Sequence, residues 1–388
     1  MMSEKKQILT VKNIRNVNMD NILHSIIRSR HTTRSILSKE NNISLMTVKH
    51  VVDSLIANDI LIEKESCGAE VGRKPKGLEI AECYGNIVCV NLTSKDEISF
   101  LIYDIYEELL AKQSISLEGV ASYLDGLQNA MEAMGQKLEL IPTQTVGIAV
   151  FVPSAYDENV DLVNYDLIPG FKELHIRSLF QEKFEIKNIL VLHDVFAAAR
   201  SEYDSLNPKP DSQFYFYCGY GVGGFFIHQG EAVSGSGQMA GEVGKMLISM
   251  NGHDDMEITL EDMISISAVK KQMKERGLKM HFTELLALYQ KEDTMAAELL
   301  KPVFQTVSKV LYNLLWVYNP SRIVIDSCKS DYSRMITEHF REYMEKMRND
   351  AIPIHVEIQQ ARYDEYHMMR GCFYMTRNAW IEEITDSI

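Results

Sequence analysis

The sequence predicts an α/β protein in two parts: a winged helix-turn-helix head over residues 1–80 and a larger α/β body from residue 84 onward. Three observations carry that prediction. Charge is split along the chain. Residues 1–80 hold 13 Lys and Arg against 9 Asp and Glu, net +4, and the remainder holds 27 against 45, net −18, which together make the −14 of the whole. Three helical patterns and two short strands fit into residues 18–80. Beyond them, apolar strands alternate with helices, the pattern of an α/β body with more than one sheet. A chain of 388 residues has room for two or three domains, each with its own core.

Composition removes several classes. At 46% hydrophobic and 24% charged residues, the chain is neither disordered nor fibrous. No apolar run approaches the roughly 20 residues of a membrane span. The start, MMSEKKQILT, has charges without an apolar signal core. The expectation is a cytoplasmic protein with no membrane partner. Cys67, Cys83, Cys89, Cys218, Cys328 and Cys372 form no C-x-x-C pair and are expected to be reduced, small buried residues.

In the head, Met19–Arg30 places Ile22, Leu23, Ile26 and Ile27 on one helical face. Arg28 and Arg30 stand at its C-terminal end, where the dipole favours cations. Thr32 or Thr33 caps a short second helix holding Ile36 and Leu37, and Asn41-Asn42 supplies a turn. Ser44 caps a third helix with the stripe Val48, Val51, Val52, Leu55 and Ile56. Off that stripe lie Leu45, Met46, Thr47, Lys49 and His50, outward positions that in a helix-turn-helix enter the major groove. Thr and Lys meet base edges or phosphates there, and Leu and Met touch a thymine methyl. Ile60–Ile62 reads as a strand, Glu63–Val71 as a loop and Leu78–Ile80 as the returning strand. The basic segment Gly72–Gly77, with Arg73 and Lys74, has the extended form of a wing along a minor groove. The same pattern also suits a small bundle with a solvated basic hairpin, used for protein contacts.

In the body, Asn86–Asn91 and Ile98–Asp104 read as buried strands and Ala121–Leu138 as a helix. Thr145–Val152 is a strand, Leu174–Phe184 a helix and Ile189–His193 a strand, after which Asp194 opens the next helix. Phe214–Cys218 and Phe225–His228 flank a glycine cluster, and Arg322–Asp326 and Ile354–Ile358 are short strands among long helices.

Three features of the body carry chemistry. Gly219, Gly221, Gly223 and Gly224 let backbone N–H groups approach an anion, or else serve a tight hairpin that needs positive φ. They do not open a helix, so they are no dinucleotide fingerprint. His193-Asp194 ends a strand, where α/β proteins place reactive groups. Asp194 is there either a general base toward a hydroxyl or the cap of the following helix. Glu242, Lys245 and Glu261 follow the hairpin and suit either the hydroxyls of a polar ligand or a solvated loop.

The order of motifs adds to this. GRKPKGLEI (72–80), GIAVFVP (147–153), HDVFAAARSEY (193–203), GYGVGGFFIHQG (219–230), GSGQMAGEVGKM (235–246) and NPSRIVI (319–325) run in sequence. Together they resemble the transcriptional regulators of the ROK (repressor, open reading frame, kinase) family over nearly the whole chain. The resemblance implies a body with the two-lobed fold of actin-like sugar kinases. The small lobe would be 84–192 joined by the C-terminal helix 371–386, and the large lobe 193–370 would bear the oligomerisation surface. It further implies that Asp194 stands at the enzymes' catalytic Asp, with His193 replacing the Asn that usually precedes it. Glu242 would be the sugar-binding Glu of the A-G-E-x-G-H motif, Lys245 would replace that motif's His, and Glu261 would be a later sugar-contacting Glu.

Departures from the family pattern decide the expected mechanism. The kinases' Asp-x-Gly-Gly-Thr nucleotide loop is Asn91-Leu92-Thr93-Ser94-Lys95 here, without the carboxylate or the glycines. A second Gly-Gly is replaced by Asp326-Ser327, whose carboxylate repels a nucleotide. The hairpin glycines are left as a vestigial phosphate loop. The family's zinc site needs the motif's His and three cysteines, but this chain has Lys245 and no cysteine between Cys218 and Cys328. His253 with Asp254 and Asp255 is an acid-rich alternative that lacks thiolates. The expectation is therefore no zinc or other metal, no ATP, and Asp194 as no more than a vestigial base.

The sequence thus predicts a ligand-controlled regulator, a repressor of carbohydrate-utilisation genes. Ser44, Met46, Thr47, Lys49, His50, Arg73 and Lys74 would bind a double-stranded operator. His193, Asp194, Glu242, Lys245 and Glu261 would bind a sugar or sugar phosphate, with the chain acting as a homodimer or tetramer. The rival is a sugar kinase with an appended head that uses Asp194 as general base.

Overall fold

The computed structural model describes residues 11–65, 76–154, 156–163, 168–206, 208–235, 239–249, 257–348, 355–362 and 367–388. Arg73, Lys74, Cys67, His253, Asp254 and Asp255 lie outside these residues, and so does the side chain of Asp194.

The head consists of Val11–Ser29 (α1), Arg34–Glu40 (α2), Leu45–Ala57 (α3) and the hairpin Leu61–Glu65 (β1) with Lys76–Ile80 (β2). Thr33 caps α2 and Ser44 caps α3 through their side-chain oxygens. Ile22, Leu23, Ile26, Leu37, Val48, Val52 and Leu55 are fully buried, so the expected stripes do face one core. The short second helix holds Ile36 and Leu37 as expected, with Ile36 exposed. A helix of seven residues offers one narrow buried face, and Leu37 occupies it. The loop expected from Glu63 does not begin there: β1 continues to Glu65, pairing Glu63 with Leu78 and Glu65 with Lys76. Glu63 is held by ion pairs to Arg34 and Lys76, which makes a charged strand segment tolerable.

The first body sheet is built from Tyr84–Asn91 (β3), Glu97–Asp104 (β4), Leu109–Ser116 (β5), Gln144–Val152 (β6) and Ile189–His193 (β9). Its order is β5-β4-β3-β6-β9. The helices Tyr123–Glu139 (α4) and Ile176–Phe184 (α5) lie between these strands in sequence, as do the short paired strands Tyr156–Asp157 (β7) and Leu162–Val163 (β8). The meander β3–β4–β5 is antiparallel and β6 runs parallel to β3. Val88, Val90, Phe100, Ile102, Ile148 and Val150 form one core with Leu127, Met134 and Phe180 from α4 and α5.

The second sheet repeats that plan. After Asp194–Asp204 (α6) come Ser212–Cys218 (β10), Val222–His228 (β11) and Glu231–Ala232 (β12) as an antiparallel meander. Leu247–Ser249 (β13) and Glu257–Thr259 (β14) pair with each other. Four helices follow: Leu260–Ile264 (α7), Ile266–Glu275 (α8), Phe282–Gln290 (α9) and Thr294–Tyr318 (α10). Arg322–Asp326 (β15), Ser330–Lys346 (α11), Glu357–Gln360 (β16) and His367–Ser387 (α12) complete the chain order. The sheet order is β12-β11-β10-β15-β16, with β15 parallel to both β10 and β16. Strand periodicity splits its core in two: Phe214, Phe216, Ile323 and Ile325 pack on Phe304 and Tyr332. Tyr215 and Val324 face the other way, onto Ala198 and Tyr203 of α6. The strand expected at Ile354–Ile358 is Glu357–Gln360 instead, and Ile354 lies outside the described residues.

The chain divides into two compact units, Met1–Leu192 with Cys372–Ile388, and His193–Gly371. Cys89, Cys218 and Cys372 are buried, but Cys83 is exposed, unlike the small buried residue expected of it. No described helix is long and apolar enough to cross a membrane.

Candidate nucleic-acid interface and ligand site

The head presents the start of α3 outward. Ser44 Oγ accepts the Thr47 N–H at 3.1 Å and lies 2.8 Å from Thr47 Oγ1, so both hydroxyls serve first to anchor the helix start. Leu45 and Met46 are 53% and 65% exposed, an apolar pair left uncovered by the described residues of the head. Lys49 and His50 are exposed on the next turn.

Several basic residues of the head are engaged in ion pairs within it. Arg34 is paired to Asp53 at 2.8 Å and to Glu63, and Lys64 to Glu79 and Glu82 at 3.0 and 2.9 Å. Lys76 and Arg34 hold the Glu63 carboxyl below the usual carboxylate range. Lys39 and Lys49 remain exposed without an ion pair among the described residues.

In the second unit, His193 ends β9 and is the N-cap residue of α6, in which Asp194 is the first helical residue. The next side chain, Val195, lies against Gly223 of β11. The hairpin therefore abuts the helix that Asp194 opens. Glu261, on α7, reaches the same hairpin: its Oε2 accepts the Val222 N–H at 2.9 Å, and its Oε1 faces Lys245 Nζ at 3.4 Å. Lys245 closes the one-turn helical segment Val243–Lys245, for which Glu242 is the N-cap residue. Glu242 is half-buried there, and its carbonyl accepts the Lys245 N–H at 3.0 Å.

None of Gly219, Gly221, Gly223 and Gly224 has positive φ; space explains Gly219 and Gly224, whereas a Cβ at Gly223 would make only ordinary contact with Val195. A Cβ at Gly224 would crowd the Phe214 ring and the Tyr215 carbonyl. Gly241 does adopt φ +97, and a Cβ there would collide with the Gly224 carbonyl oxygen. The two backbones meet through the Gly224 N–H donating to the Gly241 carbonyl at 2.8 Å. These close approaches lay the segment carrying Glu242 and Lys245 along β11.

Sequence reasoning missed Tyr220 at the hairpin tip, which is 52% exposed with Lys270 Nζ 4.9 Å from its ring centre. An aromatic residue inside a glycine cluster was the available signal.

The stretches matched to nucleotide loops close on themselves. In the first unit, Asn91 Oδ1 accepts the Thr93 N–H and hydroxyl at 2.9 and 2.8 Å, and Ser94 Oγ accepts the Asp96 N–H at 3.1 Å. In the second, Asp326 is buried. Its Oδ2 accepts the Tyr215 hydroxyl and its Oδ1 the Ser327 N–H at 2.7 Å. Burial, and then the Asp326 charge, push the Tyr215 hydroxyl well above its ordinary pKa. Among the described residues, no group of three His, Cys, Asp or Glu could hold a metal.

The sequence profile of the ROK family matches residues 88–379. The chain belongs to the ROK family. Its relatives include the xylose repressor of Staphylococcus xylosus, 24% identical over 322 residues, which cover 80% of this chain and 82% of that protein. The xylose repressor of Caldicellulosiruptor bescii is 21% identical over 388 residues, covering 93% of this chain and 96% of that one. Among solved structures, this ROK chain is similar to a ROK family transcriptional regulator described as a homologue of the E. coli MLC protein. The TM-score is 0.76 at 16% identity, over 96% of this chain and 98% of the other. A ROK hexokinase from Thermus thermophilus has a TM-score of 0.62 at 19% identity, covering 78% of this chain and 99% of its own. At these identities the two structures establish the fold: an actin-like ROK body, with the α/β class read from the sequence.

Proposed function

We propose that this chain is a sugar-responsive transcriptional repressor that has given up phosphoryl transfer. The observation that carries the reading is the union, in one chain, of a capped α3 with an exposed outer face and a ROK body whose nucleotide-side loops are turned inward. Ser44, Met46, Thr47, Lys49 and His50 enter the major groove, and Arg73 and Lys74 follow the adjoining minor groove. Two copies of the chain read one two-fold operator, in the cytoplasm where the DNA is.

The effector is a sugar bound by His193, Asp194, Glu242, Lys245 and Glu261, and D-xylose is the first candidate because the relatives are named xylose repressors. Three carboxylates against one lysine favour a neutral polyol over a sugar phosphate. Binding regulates by favouring one arrangement of the chain over another, and its differential affinity sets the size of the response.

Zinc and ATP stand outside this reading. Lys245 is engaged with Glu261 and is not a usual zinc ligand. The Asn91 amide oxygen and the Asp326 carboxylate, which stand at the two nucleotide-side positions, accept hydrogen bonds from neighbouring protein groups, which disfavours their use toward a phosphate-bound magnesium ion.

The test is fluorescence anisotropy on DNA from the chain's own promoter region, titrated with D-xylose and a panel of sugars and sugar phosphates. Nanomolar binding released by a neutral sugar is expected. Sustained sugar-dependent ATP hydrolysis with magnesium would overturn the reading in favour of a kinase.

A further inference from the structure

The turn between β4 and β5 is rigid and is gripped by two other elements of its unit. Asp104 Oδ1 accepts the Tyr106 and Glu108 N–H groups at 2.9 and 2.6 Å, and the Asp104 N–H donates to the Glu108 carbonyl at 2.8 Å. Glu107 sits at φ +74, where glycine or asparagine is the usual occupant and a longer side chain is costly. The reason for a side chain at that position is visible: Glu107 Oε2 accepts the Tyr374 hydroxyl of α12 at 2.7 Å. One turn further along α12, Arg377 donates to the Ile105 carbonyl at 3.4 Å and lies over the Phe373 and Tyr374 rings.

The same turn meets the head. Arg30, which follows α1 with φ +57, places its guanidinium 5.2 Å from the Tyr106 ring centre and 3.4 Å from the Glu108 carboxylate. The Ile80 N–H, at the end of β2, donates to the Tyr106 phenol oxygen at 3.3 Å. Asn16 of α1 also donates to Asp386 of α12 at 3.1 Å. None of these residues belongs to either binding site described above.

We propose that the β4–β5 turn is a clasp that fixes the orientation of the reading head, with Tyr106 and Arg30 as positioning residues, and that α12 works it. A turn closed by four internal hydrogen bonds, the fourth from the Glu107 N–H to the Asp104 carbonyl at 3.1 Å, resists internal deformation, so a shift of Tyr374 and Arg377 carries Tyr106 with it. The head follows because Arg30 and Ile80 are bound to Tyr106. α12 is placed to sense the ligand site. Its Gly371 lies so close to α6 that a Cβ would collide with the Ala197 carbonyl, and α6 is the helix that Asp194 opens. This inference rests on the repressor reading and adds to it the route by which ligand reaches DNA affinity.

The experiment uses the full chain and the variants Tyr106→Ala, Tyr106→Phe and Tyr374→Phe, with promoter DNA and D-xylose as probes. Hydrogen exchange at the Ile80 amide is expected to accelerate about tenfold in Tyr106→Ala and Tyr106→Phe, while protection within α3 is unchanged. Tyr374→Phe is expected to bind DNA within about twofold of the parent and to lose about fivefold of its D-xylose response. A parent chain that binds no promoter DNA, or that D-xylose does not release, defeats the repressor reading and this inference with it. A responsive parent together with a fully responsive Tyr374→Phe, or with unchanged Ile80 exchange in Tyr106→Ala, overturns the clasp alone.

Discussion

Glu261 offers the sharpest test of the ligand site because it has a structural duty and a proposed functional one that different substitutions separate. Its Oε2 is the acceptor for the Val222 N–H, on a residue only 6% exposed, and its Oε1 pairs with Lys245. Replacing Glu261 with Ala strands that N–H, and a buried donor left without an acceptor costs about 1–3 kcal/mol. The ion pair adds little: with Lys245 56% exposed and a separation of 3.4 Å, solvent screening holds it to about 0.5 kcal/mol. Glu261→Ala should therefore cost about 1.5–3.5 kcal/mol, which for a unit of this size lowers Tm by about 3–14 °C. Glu261→Gln keeps an amide oxygen for Val222 and should lose about 0.5 kcal/mol, no more than about 2 °C. Differential scanning calorimetry reads both, with and without D-xylose. The Gln variant should melt near the parent yet lose most of the sugar-induced stabilisation. Equal melting of the Ala variant and the parent would refute the Val222 bond as a stabilising contact. A Gln variant with the parent's full sugar shift would remove Glu261 from the ligand site.

Other expectations follow from the same geometry. Lys49→Ala should weaken promoter binding uniformly across sequences and reduce the slope of log affinity against log salt by about 1, read by anisotropy at several salt concentrations. An unchanged slope places Lys49 off the phosphates. Gly241→Ala should destabilise the second unit by about 3 kcal/mol or more in urea melts, since a Cβ meets the Gly224 carbonyl at a φ that side chains avoid. Stability within about 0.5 kcal/mol of the parent would contradict that packing. His339 stacks on Phe304 at 4.5 Å and shares a hydrogen bond with Tyr289, and burial holds its pKa below the ordinary 6.5. The unfolded chain thus takes up this proton at a higher pH than the folded one. The contribution of the neutral ring is complete above that range and is lost as pH falls below it. His339→Phe should flatten the fall in stability between about pH 7 and 5, and an identical slope would argue against a buried neutral imidazole.

Much of the fold could be read in the sequence where local pattern and tertiary role agree. Val48, Val51, Val52 and Leu55 announce a helix and bury one face of it, and Arg322–Asp326 is a strand both by its apolar run and by its place between β10 and β16. β5 escaped because it is an edge strand. Its residues alternate between half-buried and exposed, Lys112, Ser114 and Ser116 interrupt any apolar run, and pairing with β4 does the rest. The charged Glu63–Glu65 end of β1 escaped for a similar reason: its strand character comes from the ladder with β2 and from ion pairs made elsewhere in the head.

Parts of the ligand site depend on long-range closure. His193 and Asp194 could be singled out from their place at a strand end. Lys245 and Glu261 could be named as candidates too, but not their contact with each other, which forms only when α7 folds back on the hairpin. Nor did the hairpin itself disclose whether its glycines served φ or space, since Gly224 answers to Gly241, a residue well outside the turn.

The return of α12 to the first unit has a consequence for how the protein is made. Residues 1–192 leave the ribosome early, but the helix that completes their unit, from Cys372 onward, is synthesised only after the whole of the second unit. Until then Asn188 lacks the Thr376 carbonyl that its amide meets at 3.2 Å, and Gly147 lacks the Thr376 methyl that packs closely against it. Nascent chains and premature termination products would therefore carry a DNA-reading head without its finished mount. On the repressor reading, competent operator occupancy would then be reserved for chains in which the sugar sensor has already been translated.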